Sequence, residues 1–335
     1  MIMRYRVLAF LLASVTAVCA QTPSSYHIAN KSVVGGNGSW DYVIPDPPSH
    51  RLFIAREDRL MVVDENSGKL IGEVPDIHGA HGTAIAYGTG HGFATSSQDR
   101  SIVMFDATTL KVLSRIPAAE DADGIIFDKP SGHVFSMNGD ANSSTVVDAR
   151  TGKLITNIPL GGKPEYAVST GDGKIYANLA DKDEIAEIDT RSNSVVRRWP
   201  TAPCKQPVAM AVDTIHHRLF SGCRSGVMAI SDYQAGKLIT TVPIGKGVDS
   251  AAYDPAVANL FAANADGTFT VIHQDGPDQY HVLQTLDTPI GSRSMGLDPT
   301  THRLFVVSAE FGPATAGSRR RPVLPGTFTI LTIER

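Results

Sequence analysis

Residues 51–64 read RLFIAREDRLMVVD, and this stretch decides the fold because its pattern recurs along the chain. It consists of an apolar run with an aromatic residue, a short polar loop, and a second apolar run that ends in Asp64. Similar phrases are IYANLADKDEIAEID at residues 175–189 and LFAANADGTFTVI at residues 260–272. Runs that are rich in β-branched and aromatic residues and are bounded by turn residues predict β-strands.

The phrase returns with a period in the low forties. Successive aromatic residues of the phrase are separated by 40, 42, 41, 44, 41 and 44 positions. Such a period matches one four-stranded blade of a β-propeller. The sequence therefore predicts an all-β fold, a seven-bladed β-propeller of four-stranded antiparallel blades. The aromatic residues are Phe53, Phe93, Phe135, Tyr176, Phe220, Phe261 and Phe305.

The last blade lacks a fourth strand at its C-terminal end. Residues 328–333, FTILTI, match the third strand of the repeat, and no candidate for a fourth strand follows them. Residues 26–36, YHIANKSVVGG, resemble the outer strand of another blade at residues 237–247, KLITTVPIGKG. We predict that this N-terminal strand closes the last blade and thereby the ring.

The N-terminus reads as a targeting segment. Arg4 and Arg6 precede an apolar run at residues 7–18, and small residues follow at a candidate cleavage site. We expect a signal peptide at residues 1–20 that is cleaved, an exported protein in the periplasm or outside the cell, and one propeller domain at residues 21–335. The apolar run has 12 residues, which is too short for a transmembrane helix, so we expect no transmembrane segment.

Composition and motifs limit the partners and cofactors. The formal net charge is -4, which argues against binding to nucleic acid. No covalent haem motif is present, and no cofactor is identified from the sequence. We expect a monomer. Whether the partner is a small molecule or a protein stays open at this level.

The mouth of the ring is the place where chemistry is expected. In a blade that meanders from its inner strand outward, the loops that enter the first strand and those that follow the second strand share one face. When the blades are aligned on the Asp that ends most first strands, the position five residues earlier carries several charged side chains. They predict a mostly acidic ligand-binding funnel with one cationic wall. The candidates are Asp41, His81, Asp123, Asp249 and Arg293.

Three interpretations of the funnel remain open. Asp and His side chains could hold a divalent metal ion. A carboxylate that is paired with His or Arg could perform acid–base catalysis. Alternatively, the polar residues solvate a wet channel mouth and bind nothing. The stretch HGAHG adds a weaker metal hypothesis, in which His78 and His81 reach one ion.

Two further features depart from the repeat. Cys204 and Cys223 are expected on the same face of the fifth blade, where an oxidising compartment would favour a disulfide. The loop at residues 310–326 is much longer than its counterparts and carries Arg319, Arg320 and Arg321. It could form a basic lid over the funnel, or it could be a solvated excursion.

The quoted phrases resemble the YVTN-type β-propeller repeat family. Asn178 and Asn264 match the Asn of that repeat, whereas Arg56 and Cys223 depart from it. The resemblance covers nearly all of the chain after residue 20, and it implies an exported seven-bladed propeller. The wider group contains both binding proteins and enzymes, so the resemblance does not decide the activity.

Two functional hypotheses follow from the sequence. The first is an exported binding or scaffold protein with a polar funnel for a ligand or a partner. The alternative is a hydrolase, lyase or oxidoreductase-type propeller enzyme that acts on a small polar substrate in that funnel, with or without a metal ion. Whether the protein is an enzyme is left open.

Overall fold

The computed structural model describes residues 25–313 and 321–335, which form seven four-stranded sheets arranged as the blades of a propeller. The first strand, β1 (His27–Val33), belongs to the last blade. Blade one contains β2 (Val43–Asp46), β3 (Arg51–Arg56), β4 (Arg59–Asp64) and β5 (Leu70–Val74), with a 3-10 helix at Pro47–Ser49. Blade two contains β6 (Ala80–Ala86), β7 (His91–Ser96), β8 (Ser101–Asp106) and β9 (Val112–Pro117). Blade three contains β10 (Ala122–Asp128), β11 (His133–Asn138), β12 (Ser143–Asp148) and β13 (Leu154–Pro159).

The remaining blades repeat this plan. Blade four contains β14 (Pro164–Ser169), β15 (Lys174–Leu179), β16 (Glu184–Asp189) and β17 (Ser194–Pro200). Blade five contains β18 (Pro207–Asp213), β19 (Arg218–Cys223), β20 (Val227–Asp232) and β21 (Lys237–Pro243). Blade six contains β22 (Val248–Asp254), β23 (Asn259–Asn264), β24 (Thr268–Gly276) and β25 (Gln279–Asp287). Blade seven contains β26 (Ser294–Asp298), β27 (Arg303–Ser308) and β28 (Thr329–Glu334), and its sheet order is β1-β28-β27-β26.

The predicted seven-bladed propeller and its closure are both confirmed. β1 pairs antiparallel with β28, with Ile28 opposite Ile333 and Val33 opposite Thr329. The seven aromatic residues of the repeat lie on the second strand of each blade, and each is at most 3% exposed. They form part of the hydrophobic layers between neighbouring sheets, which is why the aromatic residue recurs once per blade.

The innermost strands form a closed ring. β2, β6, β10, β14, β18, β22 and β26 each contact the innermost strands of both neighbouring blades. Gly296 lies at the junction of blades seven and one, where a Cβ would stand 2.5 Å from the carbonyl oxygen of Val43. This spacing leaves no room for a side chain, so the backbones approach as closely as sterics allow.

Arg56 replaces the repeat's Asn in blade one and holds the segment that follows the closing strand. Its guanidinium is fully buried and donates hydrogen bonds to the carbonyl oxygens of Ser39 at 3.1 Å and Asn37 at 2.8 Å. It lies 3.9 Å from the ring centroid of Phe328. Burial lowers the pKa of Arg56 to about 10. The departure from the repeat therefore has a structural reason, because only this blade follows the strand that closes the ring.

Cys204 and Cys223 are joined by a disulfide in blade five, with their Cα atoms 5.7 Å apart. The predicted signal peptide at residues 1–20 lies outside the described residues, as do Arg319 and Arg320 of the predicted lid. Among the residues that the structure describes, no helix is long and apolar enough to cross a membrane.

Candidate functional site

A cavity of about 420 Å³ opens where the innermost strands of all seven blades begin. We call it the funnel. The five side chains that the repeat alignment selected all line this cavity, and they come from five different blades. The structure therefore brings these residues together, while ligand binding by them stays a prediction. They are Asp41, His81, Asp123, Asp249 and Arg293.

β-Bulges at the start of the innermost strands place several of these side chains. The pairing of β6 with β7 shifts between Ala80 and Thr83, which leaves His81 in the irregular step. The same shift surrounds Asp123 in β10 and Asp249 in β22. Bulges re-aim side chains and often lie beside functional sites. The shared bulge explains why His81, Asp123 and Asp249 face one cavity although they come from different blades.

The bulges of blades two and three are tied to each other. Thr95 Oγ1 accepts a hydrogen bond from the Gly82 amide at 2.9 Å and donates one to the Asp123 carbonyl at 2.7 Å. A Cβ at Gly82 would stand 2.9 Å from that same carbonyl oxygen. Glycine at residue 82 therefore allows His81 and Asp123 to approach one another across the blade boundary.

His81 lies between two carboxylates. Its Nδ1–H donates to Asp41 Oδ2 at 2.6 Å and lies 3.6 Å from Asp123 Oδ1. Burial alone would lower the pKa of His81, but the hydrogen bond to Asp41 and the charges of Asp123 and Asp41 outweigh it and raise the pKa to about 9. The ring is therefore an imidazolium at neutral pH, held by Asp41 and able to donate protons or hydrogen bonds.

Asp123 carries an unsatisfied polar atom at the same point. Its Oδ1 is buried and accepts no hydrogen bond among the described residues. Burial raises the pKa of this carboxyl well above its usual range, and repulsion by Asp41 adds to the effect although His81 opposes it. Buried acceptors without partners are uncommon, and a polar group of this kind is available to accept a hydrogen bond from a ligand or to bind an ion.

The opposite wall of the funnel contains arginines. Arg293 Nε lies 3.0 Å from Asp249 Oδ2 in a salt bridge, and a terminal nitrogen of Arg224 lies 3.6 Å from Asp249 Oδ1. Burial and the charge of Asp41 raise the pKa of Asp249, while the two arginines oppose that rise. Two guanidinium groups share one carboxylate here, so this wall is net positive.

Blade four adds a carboxyl group that titrates near neutrality. Glu165 also lies in a bulge, between Pro164 and Ala167. Burial raises its pKa to about 7, although Arg224 opposes the shift. Glu165 thus changes charge in the neutral range and makes the net charge of the funnel pH-dependent.

Further residues line the funnel besides the five candidates, among them Tyr42, Asp181 and Arg224. Tyr42 follows Asp41 directly, whereas Asp181 and Arg224 follow the second strands of blades four and five. Those loops share a face with the starts of the innermost strands. Asp181 and Arg224 could have been identified from the positions just after each second strand. The alignment on first strands covers only the positions where those strands begin.

Two predicted features lie outside the funnel. His78 lines a separate cavity, and its Nδ1 is 3.0 Å from Asp99 Oδ2. The structure therefore does not group His78 with His81, which faces Asp41 instead. Arg321 borders a neighbouring cavity rather than the funnel, and its Nε donates to the carbonyl oxygen of Gly312 at 2.8 Å.

A metal ion would find one suitable set of ligands among the described residues. One potential ligand atom from each of Asp41, His81 and Asp123 lies within 4.8 Å of the others. Two carboxylates and an imidazole suit a borderline divalent cation. Metal binding would have to displace the proton on His81 Nδ1 or use Nε2, because a coordinating imidazole nitrogen carries no proton.

Comparisons with known proteins support the fold and no particular activity. No family model matches the chain, and no curated protein sequence matches it. A solved structure described as "Structure of U3-55K" is similar, with a TM-score of 0.77 over 92% of this chain and 99% of that chain, at 11% sequence identity. This similarity shows a shared propeller fold alone. The resemblance to the YVTN-type repeat stays a prediction.

Proposed function

We propose that the chain is an exported β-propeller binding protein whose funnel holds a small polar ligand. The observation that carries this proposal is the convergence of charged side chains from different blades on one cavity of about 420 Å³. That volume lies in the range of small-molecule pockets, roughly 300 to 1,000 Å³. The unpartnered Oδ1 of Asp123 and the protonated His81 offer an acceptor and a donor to the ligand.

Export is part of the same proposal and has two supports. Residues 1–20 have the charge and hydropathy pattern of a signal peptide. Cys204 and Cys223 form a disulfide, which persists in oxidising compartments and is rare in the cytosol. Fractionation of the native host, followed by detection of the chain and its N-terminal residue, tests this part. A cytosolic chain that starts at Met1 would contradict it.

Thermal-shift screening with small polar metabolites, followed by calorimetric titration, tests the binding function. We expect a saturating rise in melting temperature that His81→Ala and Asp249→Ala each abolish. His78→Ala is the matched control, because this histidine lies on the neighbouring cavity and should leave the shift unchanged. A shift that persists in both funnel variants would show that the ligand binds elsewhere.

A metal-assisted enzyme is the second candidate, and the Asp41, His81 and Asp123 cluster favours it. These three side chains would hold the ion, and Glu165, with a pKa of about 7, could exchange a proton with a substrate in the same cavity. Elemental analysis of protein purified from its native host tests this candidate. We expect about one equivalent of metal in the wild type and its loss in Asp123→Asn. Metal-free wild-type protein would contradict the metal-assisted enzyme and leave ligand binding as the proposed function.

A further inference from the structure

A second cavity of about 250 Å³ adjoins the funnel at Arg293, which lines both. We call it the side pocket. Its apolar wall consists of Trp40, Ile290, Phe311 and Val323, and its cationic groups are Arg293 and Arg321. It lies between the start of blade one and the loops of blade seven.

The apolar wall of the side pocket is built from packed rings. The ring centroids of Trp40 and Phe311 are 5.9 Å apart, and Trp40 also packs against Phe328 with a centroid distance of 5.6 Å. An isolated β-bridge joins Phe311 to Val323. Ile290 completes the wall and is 69% exposed, which is a high value for a large apolar side chain. The wall is therefore preformed and leaves apolar surface open to a ligand.

Arg321 gives this apolar surface a positive rim, and Arg293, which pairs with Asp249 on its funnel side, adds to it. Arg321 donates hydrogen bonds to the carbonyl oxygens of Gly312 at 2.8 Å and Phe311 at 3.0 Å, which fixes its guanidinium 5.9 Å from the Phe311 ring centroid. No acidic side chain is among the described residues that line the side pocket. The charge of Arg321 is therefore not neutralised by a carboxylate of the pocket wall.

The two adjoining cavities differ in the sign of the charge that they favour. The funnel is lined by six carboxyl groups, whereas the side pocket combines aromatic and aliphatic side chains with guanidinium groups. Arginine binds carboxylates with paired hydrogen bonds, and aromatic walls take up hydrocarbon. We propose that the side pocket binds an apolar monocarboxylate, with its hydrocarbon part against Trp40 and Phe311 and its carboxylate between Arg293 and Arg321.

This inference goes beyond the proposed function because it assigns a ligand to the side pocket rather than to the funnel. Arg293 is the one described residue that lines both cavities. A polar ligand in the funnel and a carboxylate in the side pocket can therefore be tested separately. Ligand binding in one cavity without binding in the other would support the proposal for the first cavity and contradict the proposal for the second.

Tryptophan fluorescence provides a local probe of the side pocket. The chain has two tryptophans, Trp40 and Trp199. Trp199 is 3% exposed and packs against Tyr176 in blade four, far in sequence from the side pocket. In a Trp199→Phe background, Trp40 is the sole tryptophan. Titration with octanoate is compared with octanol, which lacks the charge, and with acetate, which lacks the chain.

We expect a saturable change in Trp40 emission at octanoate concentrations at least about tenfold below those needed for octanol or acetate, because a charge-assisted hydrogen bond and apolar burial act together. Arg321→Met should weaken octanoate binding about tenfold and leave octanol unchanged. Ile290→Ser should weaken both, and its exposed position makes it compatible with folding. Arg100→Met, which removes an exposed arginine of blade two, is the matched charge control.

The absence of a saturable change with octanoate would overturn the inference. Equal affinity for octanoate and octanol, or unchanged octanoate affinity in Arg321→Met, would also overturn it. The unfolding temperature of each variant is measured in parallel, so that a folding defect is distinguished from a loss of binding. If only the proposed function of the funnel is wrong, octanoate will still bind in the side pocket, but no small polar ligand will give a thermal shift that His81→Ala abolishes.

Discussion

His81 shows how the ring changes the chemistry of a single residue. An exposed histidine has a pKa of about 6.5. The hydrogen bond to Asp41 and the nearby charge of Asp123 outweigh the effect of burial and raise the pKa of His81 to about 9. The two carboxylates come from neighbouring blades on either side. The protonation state of the funnel is therefore a property of three blades together.

Asp41→Asn should lower the pKa of His81 from about 9 toward its ordinary value, because the substitution removes the charge that accepts the Nδ1 hydrogen bond. NMR titration of the His81 ring protons measures this change. Asp140→Asn is the control, since Asp140 pairs with Lys163 at 3.1 Å and does not contact His81. An unchanged His81 pKa in Asp41→Asn would show that Asp41 does not hold the proton.

Glu165→Gln should stabilise the fold at pH 8 and not at pH 4.5. The folded state raises the pKa of Glu165 from 4.5 to about 7, so the wild type loses stability as the pH rises through this interval. The variant lacks this loss and should be more stable than the wild type by up to about 3 kcal/mol at pH 8. Urea unfolding at both pH values measures the difference.

Glu120→Gln is the control for this experiment, because the Glu120 side chain is 55% exposed and does not line the funnel. A stability difference for Glu165→Gln that is the same at pH 4.5 and pH 8 would mean that the carboxyl of Glu165 is not desolvated in the funnel.

At the scale of the elements, the closing strand β1 depends on Tyr26, which is 3% exposed beside blade six. Its hydroxyl accepts a hydrogen bond from Asn259 Nδ2 at 2.9 Å, and its ring packs edge-on against Phe261 with a centroid distance of 5.3 Å. Its backbone exchanges two hydrogen bonds with the Gln284 side chain, at 2.9 and 2.7 Å. Tyr26 thus attaches the beginning of β1 to the neighbouring blade.

Tyr26→Ala should destabilise the protein by about 3–5 kcal/mol, as loss of a buried aromatic ring does, whereas Tyr26→Phe should cost about 1 kcal/mol for the hydroxyl. His27→Ala, at an exposed position of the same strand, serves as the control. Denaturant unfolding measures all three variants. Equal costs for the Ala and Phe variants would show that ring packing does not attach the strand.

The disulfide stabilises blade five across a short stretch of chain. Cys204 and Cys223 are 19 residues apart in sequence, and closing a loop of this size contributes about 3 kcal/mol in the chain-entropy account. Replacing both cysteines with Ala should lower the unfolding free energy by about that amount. Dithiothreitol should then destabilise the wild type and leave the double variant unchanged. An effect of the reductant on both proteins would point to a cause other than this disulfide.

At the scale of the whole molecule, close packing of the innermost strands keeps the ring closed. Gly296→Ala should lower the unfolding free energy by about 1–3 kcal/mol, because the new methyl group would meet the Val43 carbonyl oxygen and Pro45 Cδ, each at 2.5 Å. Gly276→Ala is the matched control, since a Cβ there meets nothing within 4 Å. Calorimetric unfolding compares the two variants. Equal stability would show that the junction of blades seven and one can widen at no cost.

Much of this architecture could be predicted from residues such as Phe53 and Phe261, which recur once per blade. A strand that packs between sheets needs a large apolar side chain at a fixed position, so the repeat is visible in the sequence. The closing strand was equally readable, because residues 26–36 resemble the outer strand of another blade. The five funnel candidates followed from alignment of the repeats. Arg224 and Asp181 did not, because they lie after second strands rather than before first strands.

The sequence by itself determined the strand content, the number of blades and the closure, since each depends on side-chain types that repeat at a fixed period. The tertiary structure alone decided that His81 lies between Asp41 and Asp123 and that His78 does not join them. These partners are about forty residues apart and meet only when blades one, two and three pack side by side, with bulges in β6 and β10. Contacts of that kind depend on the backbone geometry of neighbouring blades, and they leave no pattern in the local sequence from which they could be predicted.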